Sequence, residues 1–362
     1  MASQSVAGGH SALQKFRVPT ILQPLHNSIP RSCSLGRLHT HEIPIEEFRK
    51  NPARYTISYG RAPGPDIFRI TEQKCPVDGG EITIRIFELA PQLDDQGQPK
   101  RRAAYVNFHG GGWVFGGLAD DHDFCKRVVH GLNGDLVAFD VDYRLAPEHK
   151  YPIPVNDCWT AFNWIRSHKA TEFYLDPDRF AVGGASAGGQ LSAVISHLCR
   201  DANIPLRLQI LTVPVTDLHR VFTPEGEFDR EGCPYESYRE MEFAPALPAA
   251  RMAYFHRQFL GVPRPAESNE DWKISPILAP NFQNLAPALV STAELDPLRD
   301  EGEAYAAKLQ AAEVSVEIDR IAGAPHLVAK LDGILEGGQR YNEKVIATMK
   351  QQLLRDGSST CT

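Results

Sequence analysis

From residue 80 onward the chain alternates between two patterns. Short apolar, β-branched or alternating runs at Ile82–Phe87, Ala103–Phe108, Leu136–Val141, Arg179–Val182, Leu206–Val213, Ala288–Thr292 and Val314–Ile321 have the composition of strands. Longer stretches at Asp120–Leu132, Val155–His168, Ala187–Arg200, Asp300–Ala312 and Gly338–Leu354 carry the spacing of amphipathic helices. Such alternation predicts a mostly parallel central sheet with helices on both faces. The rhythm lapses twice. Residues 1–50 are irregular, with scattered Pro, Gly and Ser, and are expected to form an arm that stands free or joins a cap. Residues 216–277 contain no legible strand and are rich in Pro and aromatics, as in "CPYESYREMEFAPALPAARMAYFHRQFLGVPRP". Pro248 suits the first turn of a helix in which Met252, Phe255 and Phe259 share one face. An insertion of this size reads as a helical cap over the end of the sheet, leaving 51–215 and 278–362 as the core.

Composition narrows the field. With 362 residues, 42% hydrophobic and 23% charged, the chain has the mix of a soluble globular protein. Its net charge of −7 is spread along the sequence, against a nucleic-acid or anionic-membrane partner, both of which need clustered Lys and Arg. The start lacks the basic flank and apolar stretch of a signal peptide, and no run approaches a membrane span. The seven cysteines have no paired spacing, and Cys125, Cys158 and Cys199 fall in apolar helical patterns where a thiol acts as a small hydrophobe. A reducing, cytoplasmic setting is expected, without stable membrane association.

The segment "GGASAGGQL", Gly183–Leu191, frames one serine with small residues between a strand and a helix. In G-x-S-x-G a strained strand-to-helix turn pushes the serine hydroxyl out of the sheet, where only small neighbours avoid a clash. Small residues there also serve plain packing, so the remaining groups must decide. An activated serine needs a base, an acid to orient it and donors for the oxyanion, in the chain order Ser, Asp or Glu, His. Of the four histidines after Ser186, His197 lies eleven residues along the same helix, roughly 16 Å away, and cannot reach. His219 and His256 fall at the edge of, or inside, the cap. His326, in "IAGAPHLVAK", follows the last predicted strand at a Gly/Pro turn. For the acid, Asp296 follows a strand in "PALVSTAELDPLRDEGEAYAAKL" and is preferred over Glu294, nearer the strand interior, and Asp300, in the next helix's first turn. An Asp before Pro is also a common turn former.

"FHGGGWVFGG" directly follows an apolar strand. Consecutive glycines let bare N–H groups of Gly110, Gly111 and Gly112 converge on a developing negative charge, with Ala187 adding another. The rival use of a Gly-rich loop is phosphate binding, but neither G-x-G-x-x-G nor G-x-x-x-x-G-K-[ST] is present. His109 is read as a residue that orders this loop.

Four motifs, "HGGGW" at His109–Trp113, "DYRLAPEHKYP" at Asp142–Pro152, "GGASAGGQL" and "DPLRDEGEAYAAKL" at Asp296–Leu309, together resemble the hormone-sensitive-lipase-like branch of the α/β-hydrolases over roughly residues 80–350. The resemblance implies an α/β-hydrolase fold with a helical cap, Ser186 as nucleophile, Asp296 as acid, His326 as base and His109–Gly112 as the oxyanion motif. It implies a carboxylesterase without cofactor or metal, acting on a small-molecule ester, with similar fungal proteins serving secondary metabolism. Two positions depart from the family pattern. Ala185 stands where an acid is usual, and Leu327–Val328 replace Gly-Phe after the histidine. Arg144 and Glu148 are expected to pair beneath the oxyanion loop.

The chemistry expected is ester or thioester cleavage through an acyl-enzyme. Acyl transfer, lactonisation or polyketide release would use the same triad, and relatives that only bind small ligands typically lose the Ser or His retained here. Trp113 and Phe115 are expected to line an apolar pocket that Tyr254, Phe255 and Phe259 close from above. A homodimer is left open.

Overall fold

The computed structural model describes residues 40–55 and 60–354. The chain divides into two compact units, residues 1–55 and 56–362. In the first, a short turn at Thr40–Glu42 precedes helices α1 (Ile45–Lys50) and α2 (Pro52–Tyr55). Acidic Glu46 and Glu47 open α1 and basic Arg49 and Lys50 close it, the favourable arrangement for its dipole. The rest of the expected arm, residues 1–39, lies outside the described residues.

The second unit is built on an eight-stranded sheet in the order β1-β2-β4-β3-β5-β6-β7-β8. The strands are β1 (Arg69–Val77), β2 (Gly80–Glu88), β3 (Arg102–Phe108), β4 (Leu136–Asp142), β5 (Leu175–Ala185), β6 (Leu208–Thr212), β7 (Ala288–Leu295) and β8 (Val316–Pro325). β2 runs antiparallel to both its neighbours, and every pairing from β4 through β8 is parallel. The helices are α3 (His122–Gly131), α4 (Ile153–Trp164), α5 (Ala187–Asp201), α6 (Glu236–Glu240), α7 (Ala249–Leu260), α8 (Arg299–Ala311) and α9 (Glu336–Leu353).

Central strands are apolar on both faces because both are covered. Successive strand residues point to opposite sides, so Ile210 and Leu289 join one core while Leu211 and Val290 join the other. The first core receives Val128 and Val129 of α3 and Tyr341, Val345 and Met349 of α9. The second receives Ala193 of α5 and Tyr305 and Leu309 of α8. Each fully buried side chain of this size contributes about 1.5–3 kcal/mol, and together they fix the sheet that carries the site.

Between β6 and β7 the chain leaves the sheet and forms α6, α7 and short turns, in the stretch expected as a cap. Pro248 immediately precedes α7, and Met252, Phe255 and Phe259 are buried. The helix predicted at Val155–His168 begins earlier, at Ile153, and its end widens into a π-turn at Ile165–Lys169. The Arg144–Glu148 pairing is corrected. Arg144 binds Asp157 through two nitrogens, with Nε at 2.8 Å and Nη2 at 2.6 Å, while Glu148 is exposed. Thirteen residues separate the true partners, a spacing that no local pattern reveals.

Candidate active site

β5 ends at Ala185 and α5 starts at Ala187, so Ser186 alone makes the turn, with φ 58° and ψ −117°. A side-chain-bearing residue is rarely found there, and holding it costs of order 1–3 kcal/mol. Three hydrogen bonds retain it: Ser186 N donates to Thr212 O at 2.9 Å, and Ser186 O accepts Gln190 N at 3.1 Å and Val215 N at 3.3 Å. The flanking small residues are a steric requirement, since a Cβ on Gly184 or Gly188 would collide with the Phe108 carbonyl.

The loop after β3 lies against this turn. A Cβ on Gly110 would stand 2.8 Å from Ala185 O and 3.6 Å from Ser186 Cβ. Among the described residues, the N–H groups of Gly110, Gly111, Gly112 and Ala187 have no hydrogen-bond acceptor, so they remain available as donors. Ala187 also heads α5, whose first amides are unpaired within the helix and carry its positive end. Gly112 packs against the Phe255 ring of α7. His109 is fully buried and tied into its own loop. Its Nδ1 donates to Gly110 O at 2.8 Å, its ring stacks on Tyr143 with centroids 4.2 Å apart, and Tyr143 Oη donates to His109 O at 2.7 Å.

β5, β6, β7 and β8 are parallel, so residues just beyond β7 and β8 lie at the same C-terminal end of the sheet as Ser186. Asp296 and His326 meet there, with Nδ1 donating to Asp296 Oδ2 at 2.8 Å. Asp296 is fully buried and His326 is 7% exposed. The other carboxylate oxygen accepts Leu298 N at 3.1 Å, so Asp296 both orients the imidazole and shapes the turn. With Nδ1 engaged as a donor, Nε2 is left as the basic nitrogen.

The rival residues are occupied elsewhere. Glu294 accepts Gly323 N at 2.6 Å, and Asp300 accepts Ser237 N at 2.7 Å and pairs with Arg299 at 2.8 Å. His197 bonds the Tyr305 hydroxyl at 3.1 Å, and burial brings its pKa down to about 3. His219 is held between Ser275 Oγ at 2.7 Å and Ser268 O at 2.8 Å. His256 is fully buried in α7.

Aromatic residues join the glycine loop to α7. Phe115 lies parallel to Tyr254 at 6.2 Å and edge-on to Phe255 at 5.7 Å. Trp113 and Phe259 were expected to contact substrate, but neither has exposed surface. They stack on each other with ring centroids 4.3 Å apart. Sequence reasoning missed Gln190, whose Oε1 accepts Trp113 Nε1 at 3.1 Å and whose amide donates to Lys273 O. Its position one helical turn after Ser186 was the available signal. Among the described residues, no group of three or more His, Cys, Asp or Glu is placed to hold a metal, and no helix is long and apolar enough to cross a membrane.

Residues 105–330 match the alpha/beta hydrolase fold family. The chain belongs to that family. This hydrolase is 34% identical over 304 residues to the carboxylic ester hydrolase LipN of Mycobacterium tuberculosis, covering 81% of this chain and 73% of that protein. It is also 34% identical over 270 residues to an AB hydrolase superfamily protein of Schizosaccharomyces pombe, covering 72% of each. Among solved structures it resembles EstE1, a thermostable carboxylesterase from a metagenomic library, with TM-score 0.73, 34% identity and coverage of 86% and 98%. An ester-hydrolase from the metagenome of Lake Arreo superposes with TM-score 0.79 at 29% identity, covering 93% of this chain and 99% of that one.

Proposed function

We propose that this hydrolase is a serine carboxylesterase that cleaves a small or medium-sized apolar carboxylic ester through an acyl-enzyme. The Asp296–His326 bond carries the reading, because it orients an imidazole at the C-terminal end of the sheet, the end at which Ser186 is held in a strained turn.

His326 Nε2 takes the Ser186 proton as Oγ attacks the substrate carbonyl. The oxyanion accepts hydrogen bonds from Gly110, Gly111 and Ala187, backbone donors that need no reorganisation when charge appears. Asp296 holds the Nδ1 proton and stabilises the imidazolium. His326 then protonates the departing alcohol, and water repeats the sequence to release the acid. Phe115, Tyr254 and Phe255 present apolar surface to the acyl chain, where each buried methylene adds about 0.8 kcal/mol until the space is filled.

Intact-mass analysis after fluorophosphonate treatment, followed by p-nitrophenyl esters of increasing length, tests the proposal. One adduct is expected on the wild type and none on Ser186→Ala, whose residual catalysis should not exceed ~10³–10⁴-fold over water. Turnover should rise from acetate to about butyrate or hexanoate and then fall. Labelling of Ser186→Ala, or a steady rise through palmitate, overturns the reading. Labelling of Ser186 without cleavage of any simple ester points to a dedicated ester or thioester, or to an acceptor other than water.

A further inference from the structure

β7 and β8 pair regularly from Ala288↔Val316 to Ala293↔Ile321, and the next pair is Leu295↔Pro325. β8 therefore uses four residues where β7 uses two. The excess is a bulge at Ala322–Ala324, with Gly323 at φ 65°, a conformation that suits glycine. The core shows the same slip. Ile321 and Ala324 are three apart, which in a regular strand would face opposite sides, yet both are buried in one cluster with Val328.

A bulge removes amides from the ladder, and a buried amide needs another acceptor. The carboxylate of Glu294, the residue between the two registered pairs on β7, takes Gly323 N at 2.6 Å. Main-chain Glu294 O meanwhile accepts Arg299 Nη1 at 3.1 Å, which fixes the start of α8. Two positions beyond Glu294 stands Asp296, and three beyond Gly323 stands His326. β7 thus supplies two carboxylates to the same return of chain: one grips its backbone, the other its imidazole.

We propose that Glu294 is a positioning residue for the reaction described above: by clamping the bulge through Gly323 N–H, it sets where His326 arrives on Asp296. The inference rests on the serine-esterase reading for its catalytic consequence. Its geometric part stands apart from that reading.

The test compares Glu294→Ala with Glu294→Gln, whose amide oxygen still accepts the Gly323 N–H. Three readouts are needed: the rate of Ser186 labelling by a fluorophosphonate, kcat and KM on the preferred p-nitrophenyl ester, and the low-field proton resonance of His326 Nδ1–H. Glu294→Ala should lose about tenfold or more in labelling rate and kcat with KM little changed, because a small displacement of the base is costly. Its low-field resonance should move or broaden. Glu294→Gln should stay within about threefold of wild type and keep the resonance, since a neutral acceptor replaces a charged one. Thermal melting of each variant confirms folding. Wild-type labelling and an unmoved resonance in Glu294→Ala overturn the proposal, as does a Glu294→Gln variant impaired to the same degree. Failure of the esterase reading looks different: the wild type itself goes unlabelled, while the resonance, read without substrate, still reports on the clamp.

Discussion

Trp113 lies flat against Phe259, with ring centroids 4.3 Å apart and planes 9° from parallel. One ring follows the glycines beside Ser186 and the other belongs to α7, so this contact fastens the segment between β6 and β7 onto the loop. Trp113 has φ 61° and is held by Gln190, an arrangement that tolerates little adjustment. Phe259→Ala should cost about 3–5 kcal/mol of stability, read by denaturant unfolding, and lower turnover as the loop loosens. Wild-type stability in this variant would show that the stack contributes nothing.

Asp296→Asn should lose on the order of 10⁴ in turnover with little change in melting, because the amide presents the wrong partner to Nδ1–H. Asp300→Asn should instead lower stability while leaving turnover near wild type, since that carboxylate serves Ser237 and Arg299. The reverse result would transfer the acid's role to Asp300.

His256 has no hydrogen-bond partner on either ring nitrogen among the described residues. Burial, and then Arg264, His219 and Arg257, depress its pKa to about 3. A histidine depressed in the fold contributes stability that is complete above its ordinary value near 6.5 and is lost as pH falls toward 3. Stability should therefore decline by up to about 1.4 kcal/mol for each pH unit below that value through this group alone. Melting curves of wild type and His256→Leu between neutral and acid pH should diverge accordingly. Parallel curves would refute the assignment.

Ala185 borders a cavity of about 20 Å³ that Asn107 and Asp121 also line. Asn107 already donates to two carboxylates, Asp140 at 2.8 Å and Asp121 at 3.1 Å. Burial and the neighbouring Asp121 push the Asp140 pKa well above the usual carboxylate range. Asp120, Asp121, Asp123 and Asp332 line the cavity against Arg61 and Arg127, so a further acid there adds to an existing excess of negative charge, a physical reason for the alanine. Ala185→Asp should destabilise the protein by about 1–3 kcal/mol, more at high pH where the new carboxyl is driven to ionise. Adding Asp121→Asn should restore part of the loss. A stable Ala185→Asp protein at alkaline pH would remove this explanation.

The architecture was legible wherever burial wrote a strong period. β3 and β4 are wholly or almost wholly buried, so their apolar runs stand out in the sequence. β1 escaped because only Cys75 among its nine residues is buried, leaving no apolar face to detect. β5 was read short because Pro177, Gly183 and Gly184 hide its ends, and the last two are there for Ser186. Asp296 and His326 were legible from their order and their positions after strands. The functions of Glu294, Gln190 and Asp157 were not, since each depends on a contact fixed only by the tertiary fold. In the sequence Glu294 is simply a rival to Asp296 for the acid, and the bulge whose Gly323 N–H it accepts leaves no trace in composition.

β8 is the edge strand of the sheet and the last to be made, and it delivers the proposed base. On the ribosome, the turn bearing Ser186, the glycine loop and the aromatic helix are all synthesised before His326 exists. On the proposed mechanism, a partly made chain therefore holds a serine with nothing to deprotonate it. Catalytic competence on that mechanism depends on this last strand, because its pairing with β7 brings His326 to Asp296. A chain ending before β8 would, by the same mechanism, leave Ser186 unactivated and be inert toward esters.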